Sequence, residues 1–217
     1  MTNKDKRVLK REPKLNIELN KEQKEAKALY YQHDVNFIHG DFGSGKTALA
    51  VAIALSSFRK KEVNKIVIAR PITKNNVGLL PGDVYDKMKP FVAPIIHNFN
   101  MCQNPVLTEK MFKDLSIEIL PVDFAKGITY VNSVVIVDEY QDLNYDDFRL
   151  MLSRLGKNSK LIFVGSKEQI HRSMIGYSCI KDTMKLENSG LVGYSTLTSN
   201  HRNNAITEVL NYLENEK

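Results

Sequence analysis

Residues 39–50, HGDFGSGKTALA, place three glycines, a lysine and a threonine between two apolar stretches. Gly40, Gly45, Lys46 and Thr47 satisfy the spacing G-x-x-x-x-G-K-[ST] of a phosphate-binding loop. Glycines let the backbone curl so that successive N–H groups face inward as an anion nest. The N-terminus of a following helix adds partial positive charge. Gly40, Asp41, Phe42, Gly43, Ser44 and Gly45 are therefore the expected cradle for a nucleoside triphosphate. Lys46 is expected to bridge its β- and γ-phosphates, and the Thr47 hydroxyl to ligate Mg²⁺.

A cradle does not by itself specify hydrolysis. The stretch SVVIVDEYQDL (133–143) supplies the second half of the chemistry. Four apolar residues deliver Asp138 and Glu139 to the carboxyl end of a strand, where open parallel sheets bind ligands. Asp138 is placed to hold Mg²⁺, and Glu139 to orient and polarise an attacking water. A small-molecule kinase would use a substrate hydroxyl instead of water, so the second carboxylate favours hydrolysis. Asp142, Asp146 and Asp147 read as the start of a solvated helix.

Positioning these groups requires a sheet. VNFIH (35–39), KIVIAR (65–70), IEIL (117–120), SVVIVDE (133–139), KLIFVGS (160–166) and LVGYSTL (191–197) read as strands. Between the first two, the Ala-rich KTALAVAIALSSFRKK suits a helix packed on the sheet, with cations at its negative end. Strands apolar on both faces, alternating with helices, predict a three-layer α/β fold with a mainly parallel central sheet. From Pro71 to Met111 the prolines at 71, 81, 90, 94 and 105 predict an excursion of short helical pieces. Ile206, Val209, Leu210 and Leu213 predict one apolar face of a final helix.

At 217 residues and 42% hydrophobic content, the chain suits a single globular domain over 15–217. Residues 1–14 read as a flexible basic arm. The 31 Lys and Arg outnumber 25 Asp and Glu, and the resulting +6 charge permits nucleic-acid binding without requiring it. The longest apolar run is far short of a membrane span. Two cysteines without metal spacing fit a reduced, cytoplasmic protein. His97, His171 and His201 have no ligand spacing and read as structural or surface residues.

GDFGSGKT, ARPITKNNVGLLPGD, FAKGITYVNSVVIVDEYQDL and SRLGKNSKLIFVGSKEQIH occur in an order and spacing that resembles the PhoH-like family of P-loop ATPases. The resemblance covers about 15–213 and implies a RecA-like fold similar to the first motor domain of superfamily 1 helicases. LNKEQKEA (19–26) resembles the helicase Q-motif, which implies that Gln23 reads adenine. VGSKEQIH implies Gln169 as a γ-phosphate sensor, and LTSNHRNN implies Arg202 as a transition-state arginine in cis. Ser166 and Ile128 depart from the family pattern, where aspartate and arginine are usual. That departure leaves open a second reading: a nucleotide-gated assembly module that hydrolyses little.

Helicases of that superfamily have two motor domains, whereas one is expected here. A missing arginine leaves turnover of a P-loop enzyme as slow as roughly 10⁻⁴ s⁻¹. Arg202, or an arginine lent within a homo-oligomeric ring, is thus expected, with Arg70, Arg149, Arg154 and Arg172 as further candidates. The resemblance also implies ATP and Mg²⁺ as ligands, with single-stranded RNA or DNA as partner. If nucleic acid is bound, Arg70, Lys74, Lys87 and Lys89 could follow its phosphate backbone and Tyr85 or Phe91 stack on bases. Phe91 and its neighbours read as well as core or subunit contact, with the lysines on a solvated face.

Overall fold

The computed structural model describes residues 18–71, 84–167 and 169–199, with 84–91 described as backbone. The basic arm, the turn at 79–83, Lys74, Arg202, His201 and the expected final helix lie outside the described residues. So do the side chains of Tyr85, Lys87, Lys89 and Phe91.

Six strands form one sheet in the order β3-β2-β4-β5-β1-β6, every neighbouring pair parallel. They are β1 (Val35–Gly40), β2 (Lys65–Arg70), β3 (Ile117–Pro121), β4 (Ser133–Asp138), β5 (Lys160–Gly165) and β6 (Gly193–Leu197). Each matches an expected strand to within two residues at either end. Side chains alternate across the sheet as strand geometry demands. Ile38, Ile66, Ile68, Val134 and Ile136 join one apolar cluster, while Phe37, Val67, Ala69, Val135 and Val137 join the other.

The first face is covered by α2 (Lys46–Arg59), which follows the phosphate loop directly. Leu49 to Leu55 are all buried, so this helix is apolar around its circumference and has neighbours on every side. α1 (Lys21–Gln32) contributes Ala26 and Tyr30 to the same cluster. α3 (Val84–Cys102) packs on α2 through Ile95, Phe99 and Cys102, each fully buried.

Here the expectation of short helical pieces fails: α3 runs for 19 residues through Pro90 and Pro94. A proline removes one N–H and crowds the carbonyl four residues earlier, which bends a helix without always ending it. The buried stripe after Pro94 holds the second half in place, and Asn98 Nδ2 donates to the Pro94 carbonyl at 2.9 Å. Pro105 does act as a breaker, opening α4 (Pro105–Lys113) at its first position behind an Asn104 cap.

The second face is aromatic. Phe37 stacks on Phe163 with centroids 5.0 Å apart, and Phe148 of α5 (Tyr145–Ser153) stands 5.0 Å from the same ring. A short helix, α6 (Ile180–Met184), adds Ile180 and the buried hydroxyl of Thr183. Because the sheet is parallel, all strand carboxyl ends lie on one edge. The register pairs His39 with Gly165, Asp138 with Val164, and Val137 with Ala69.

Candidate nucleotide site

Gly40 leaves β1 pressed against the last residue of β6. A Cβ there would meet the Leu197 carbonyl and Ser44 Oγ at 2.6 Å each, so only glycine fits. Gly45 caps α2 in the left-handed region at φ 79°, and no side chain caps that helix. The first-turn N–H groups of α2 thus open toward the loop, the arrangement that receives anions at helix N-termini. The loop is drawn together at the Asp41 carbonyl, which accepts from Ser44 N, Ser44 Oγ and Lys46 Nζ. Lys46 also donates to the Gly40 carbonyl at 2.6 Å. Asp41 and Phe42 are exposed at the tip.

The hydroxyl of Thr47 donates to Asp138 Oδ1 at 2.9 Å, joining the start of α2 to the end of β4. Asp138 is buried, and burial pushes its carboxyl above the usual range. Arg70 pulls the other way, Glu139 pushes further up, and the Thr47 hydrogen bond and Lys46 pull down. Two hard oxygens at this spacing, beside an uncapped helix end and a glycine cradle, fit a magnesium-bound polyphosphate. Among the described residues no group of three or more His, Cys, Asp or Glu gathers as a separate metal centre.

Glu139 sits at φ 56° and ψ 40°, in the left-handed region. That turn sends Tyr140 and Gln141 inward while the Glu139 side chain stays accessible at the strand tip. Gln141 is the residue that sequence inspection missed. Buried to 1% exposure, it donates from Nε2 to Glu139 Oε2 at 2.6 Å and to the Gln169 carbonyl at 3.4 Å. Its Oε1 accepts from Ser166 N, and it lies so close to Gly165 that a Cβ there would stand 2.3 Å away. A glutamine inside YQDL offered one signal, a polar residue in an otherwise inward-facing turn.

Gln169 through its main-chain carbonyl and buried Ser166 through its N–H thus meet the Gln141 side chain that holds Glu139. Asp142 is not at a helix start as expected. Its carboxylate accepts from His171 N at 2.7 Å and ties down the segment after β5. Asp146 and Asp147 do open α5, under an Asn144 cap. Ile128 is exposed.

Gln23 is buried, and its Oε1 accepts from Asn20 N in a reciprocal capping box. The neighbouring Glu22 carboxylate accepts from Thr198 N and Oγ1 and from Ser199 N. Since Leu197 pairs with Gly40, this clasp brings the start of α1 to the edge that carries the loop.

Arg70, which the sequence offered both as a candidate catalytic arginine and for a nucleic-acid backbone, has a side chain only 16% exposed. Its Nε lies 3.5 Å from Asp138 Oδ2 and its Nη2 3.7 Å from Glu139 Oε1.

Behind the loop, His39 Nε2 lies 2.8 Å from Tyr140 Oη, which in turn reaches Thr183 Oγ1 at 3.1 Å. Burial first, then Lys167 and Lys46, lower the His39 imidazole to about 4. A cleft of about 560 Å³ bordered by Asp34, Glu62 and Lys160 opens at the opposite edge of the sheet. It is remote from this chemistry, as suits a cradle made of main-chain N–H groups.

No helix among the described residues is long and apolar enough to cross a membrane. The chain is 33% identical to a PhoH-like protein of Synechocystis over 140 residues, 64% of this chain and 43% of that one. It is 33% identical to a PhoH-like protein of Bacillus subtilis over 150 residues, 68% of this chain and 47% of that one. It thus spans less than half the length of these curated relatives. Among solved structures, the large terminase of a thermophilic bacteriophage aligns over 84% of this chain and 46% of its own at TM-score 0.56, with 11% identity. That likeness shows the fold, a RecA-like P-loop domain. The model of the PhoH-like protein family matches residues 17–214, and the chain belongs to that family of P-loop NTPases.

Proposed function

We propose that this chain is a magnesium-dependent ATPase that couples hydrolysis to single-stranded nucleic acid, RNA in preference to DNA. The observation that carries the reading is the 2.9 Å contact between Thr47 and Asp138, with Glu139 at the same strand tip. A phosphate cradle, a metal-holding pair and a water-facing carboxylate meet there, which is the minimum that hydrolysis of a triphosphate requires.

Lys46 exchanges the carbonyls of Gly40 and Asp41 for phosphate oxygens. Thr47 and Asp138 hold Mg²⁺, which when bound neutralises phosphate charge. Glu139 orients the attacking water through Oε1 while Gln141 fixes Oε2. Gln169 senses the terminal phosphate from the segment that Gln141 touches. Gln23 selects adenine with the amide group that its capping box leaves over, a role that the resemblance of LNKEQKEA to the Q-motif supports. The +6 charge and the same resemblance support a polynucleotide partner, the two cysteines without metal spacing support cytoplasmic residence, and the likeness to the PhoH-like family supports a homo-oligomer.

Phosphate release with and without single-stranded RNA or DNA, at several protein concentrations, tests the proposal. Magnesium-dependent release stimulated more by RNA than by DNA is expected. Absence of release under every condition overturns the ATPase, and equal stimulation by both overturns the preference.

A further inference from the structure

Arg70 closes β2, and its neighbour Ala69 pairs with Val137, so the guanidinium leaves the sheet beside Asp138 and Glu139. One oxygen of each acid is already engaged. Asp138 Oδ1 accepts from Thr47, and Glu139 Oε2 accepts from Gln141. Arg70 faces the other oxygen of each, at 3.5 and 3.7 Å. These separations exceed the usual N–H···O distance, so the contact is charge pairing and not a locked fork.

Three other described arginines are engaged elsewhere: Arg59 Nη2 donates to Gln103, Arg149 lies over the Tyr145 ring, and Arg154 Nε donates to Ser153.

We infer that Arg70 is the transition-state arginine of this domain, supplied in cis and gated by the metal. The inference rests on the reading of the site as a magnesium-nucleotide hydrolase. Without a divalent ion, the guanidinium compensates two adjacent carboxylates, one of them buried. Thr47 and Asp138 would hold the divalent ion, whose charge would supply that compensation and repel the guanidinium a few ångströms away. Arg70 then turns to the equatorial oxygens of the transferred phosphoryl group, where charge spreads in the transition state. Its departure frees Glu139 Oε1 for water. The water oxygen bonds to the terminal phosphorus as the bond to the bridging oxygen breaks, with that electron pair leaving on ADP. The water proton passes through Glu139 to the released phosphate.

The test has two readouts on the full chain: Mn²⁺ binding without nucleotide, followed by the free-ion EPR signal, and steady-state hydrolysis of Mg-ATP. Wild type, Arg70→Ala and Arg70→Lys are compared. Arg70→Ala is expected to bind Mn²⁺ about tenfold tighter, because the competing cation is gone. Arg70→Lys is expected to stay within about threefold of wild type, since a cation remains. Both lose kcat with little change in KM, by about 10³-fold for alanine and about 10²-fold for lysine, whose point charge cannot fork. Mn²⁺ affinity that fails to rise in Arg70→Ala, or kcat within tenfold of wild type, overturns the inference. Should Arg70→Ala fail to fold, Arg70→Lys decides through kcat alone. Wild type that binds no Mg-ATP would bring down the underlying site assignment and the inference together.

Discussion

A left-handed backbone costs a non-glycine residue about 1–2 kcal/mol, and Glu139 adopts one at the tip of β4. The surrounding bonds repay that strain by holding Gln141 inward against Glu139, Ser166 and Gln169. Gln141→Leu should therefore lower kcat for ATP by 10- to 100-fold while KM changes by less than about threefold, because misplacing a reacting group by about 1 Å costs that much. It should also cost about 1–3 kcal/mol of stability, since Ser166 N–H loses its buried acceptor. Unaltered kcat would remove Gln141 from its positioning role. His39 carries a different consequence. Its imidazole titrates near 4 when folded and near 6.5 when unfolded, so its contribution is complete above pH 6.5 and drains away as pH falls toward 4. The loss amounts to about 3 kcal/mol. Urea titrations of wild type and His39→Gln across that range should show the loss in the first and not in the second; parallel curves would contradict the assignment.

At the scale of elements, α3 is the piece least suited to its own sequence. Pro94 is exposed and cannot donate to the Pro90 carbonyl, so the helix persists because Ile95, Phe99 and Cys102 are buried beneath α2. Pro94→Ala restores a donor without touching the core and should raise stability by about 1–3 kcal/mol. A urea midpoint that fails to rise would show that the missing donor at Pro94 costs this helix nothing in its packed setting. The same element marks where sequence inspection loses its grip. Strands such as KIVIAR and SVVIVD were legible because burial on both faces writes an unbroken apolar run. The loop was legible because its glycines and lysine have no other common use together. The continuity of α3 depends on packing partners distant in sequence, as does the inward turn of Gln141. Arg70 stayed undecided between two roles for a related reason: a strand's last residue can face solvent or the next strand's tip, and only the sheet order decides.

For the whole molecule, one parallel sheet gathers the ends of β1, β2, β4 and β5 on a single edge. Chemistry that is dispersed from Gly40 to Gln169 in the chain becomes contiguous there. Two further joints tie elements to this edge: Glu22 clasps Thr198 beside the loop, and Tyr140 links His39 to Thr183. The central claim is that this edge hydrolyses a triphosphate with Glu139 facing the water. The most direct measurement is phosphate release by wild type and Glu139→Gln, each checked for Mg-ATP binding. Equal binding with release at least 100-fold slower in the glutamine variant is the expected result. Release at the wild-type rate by Glu139→Gln, or none by wild type with magnesium present, would contradict it.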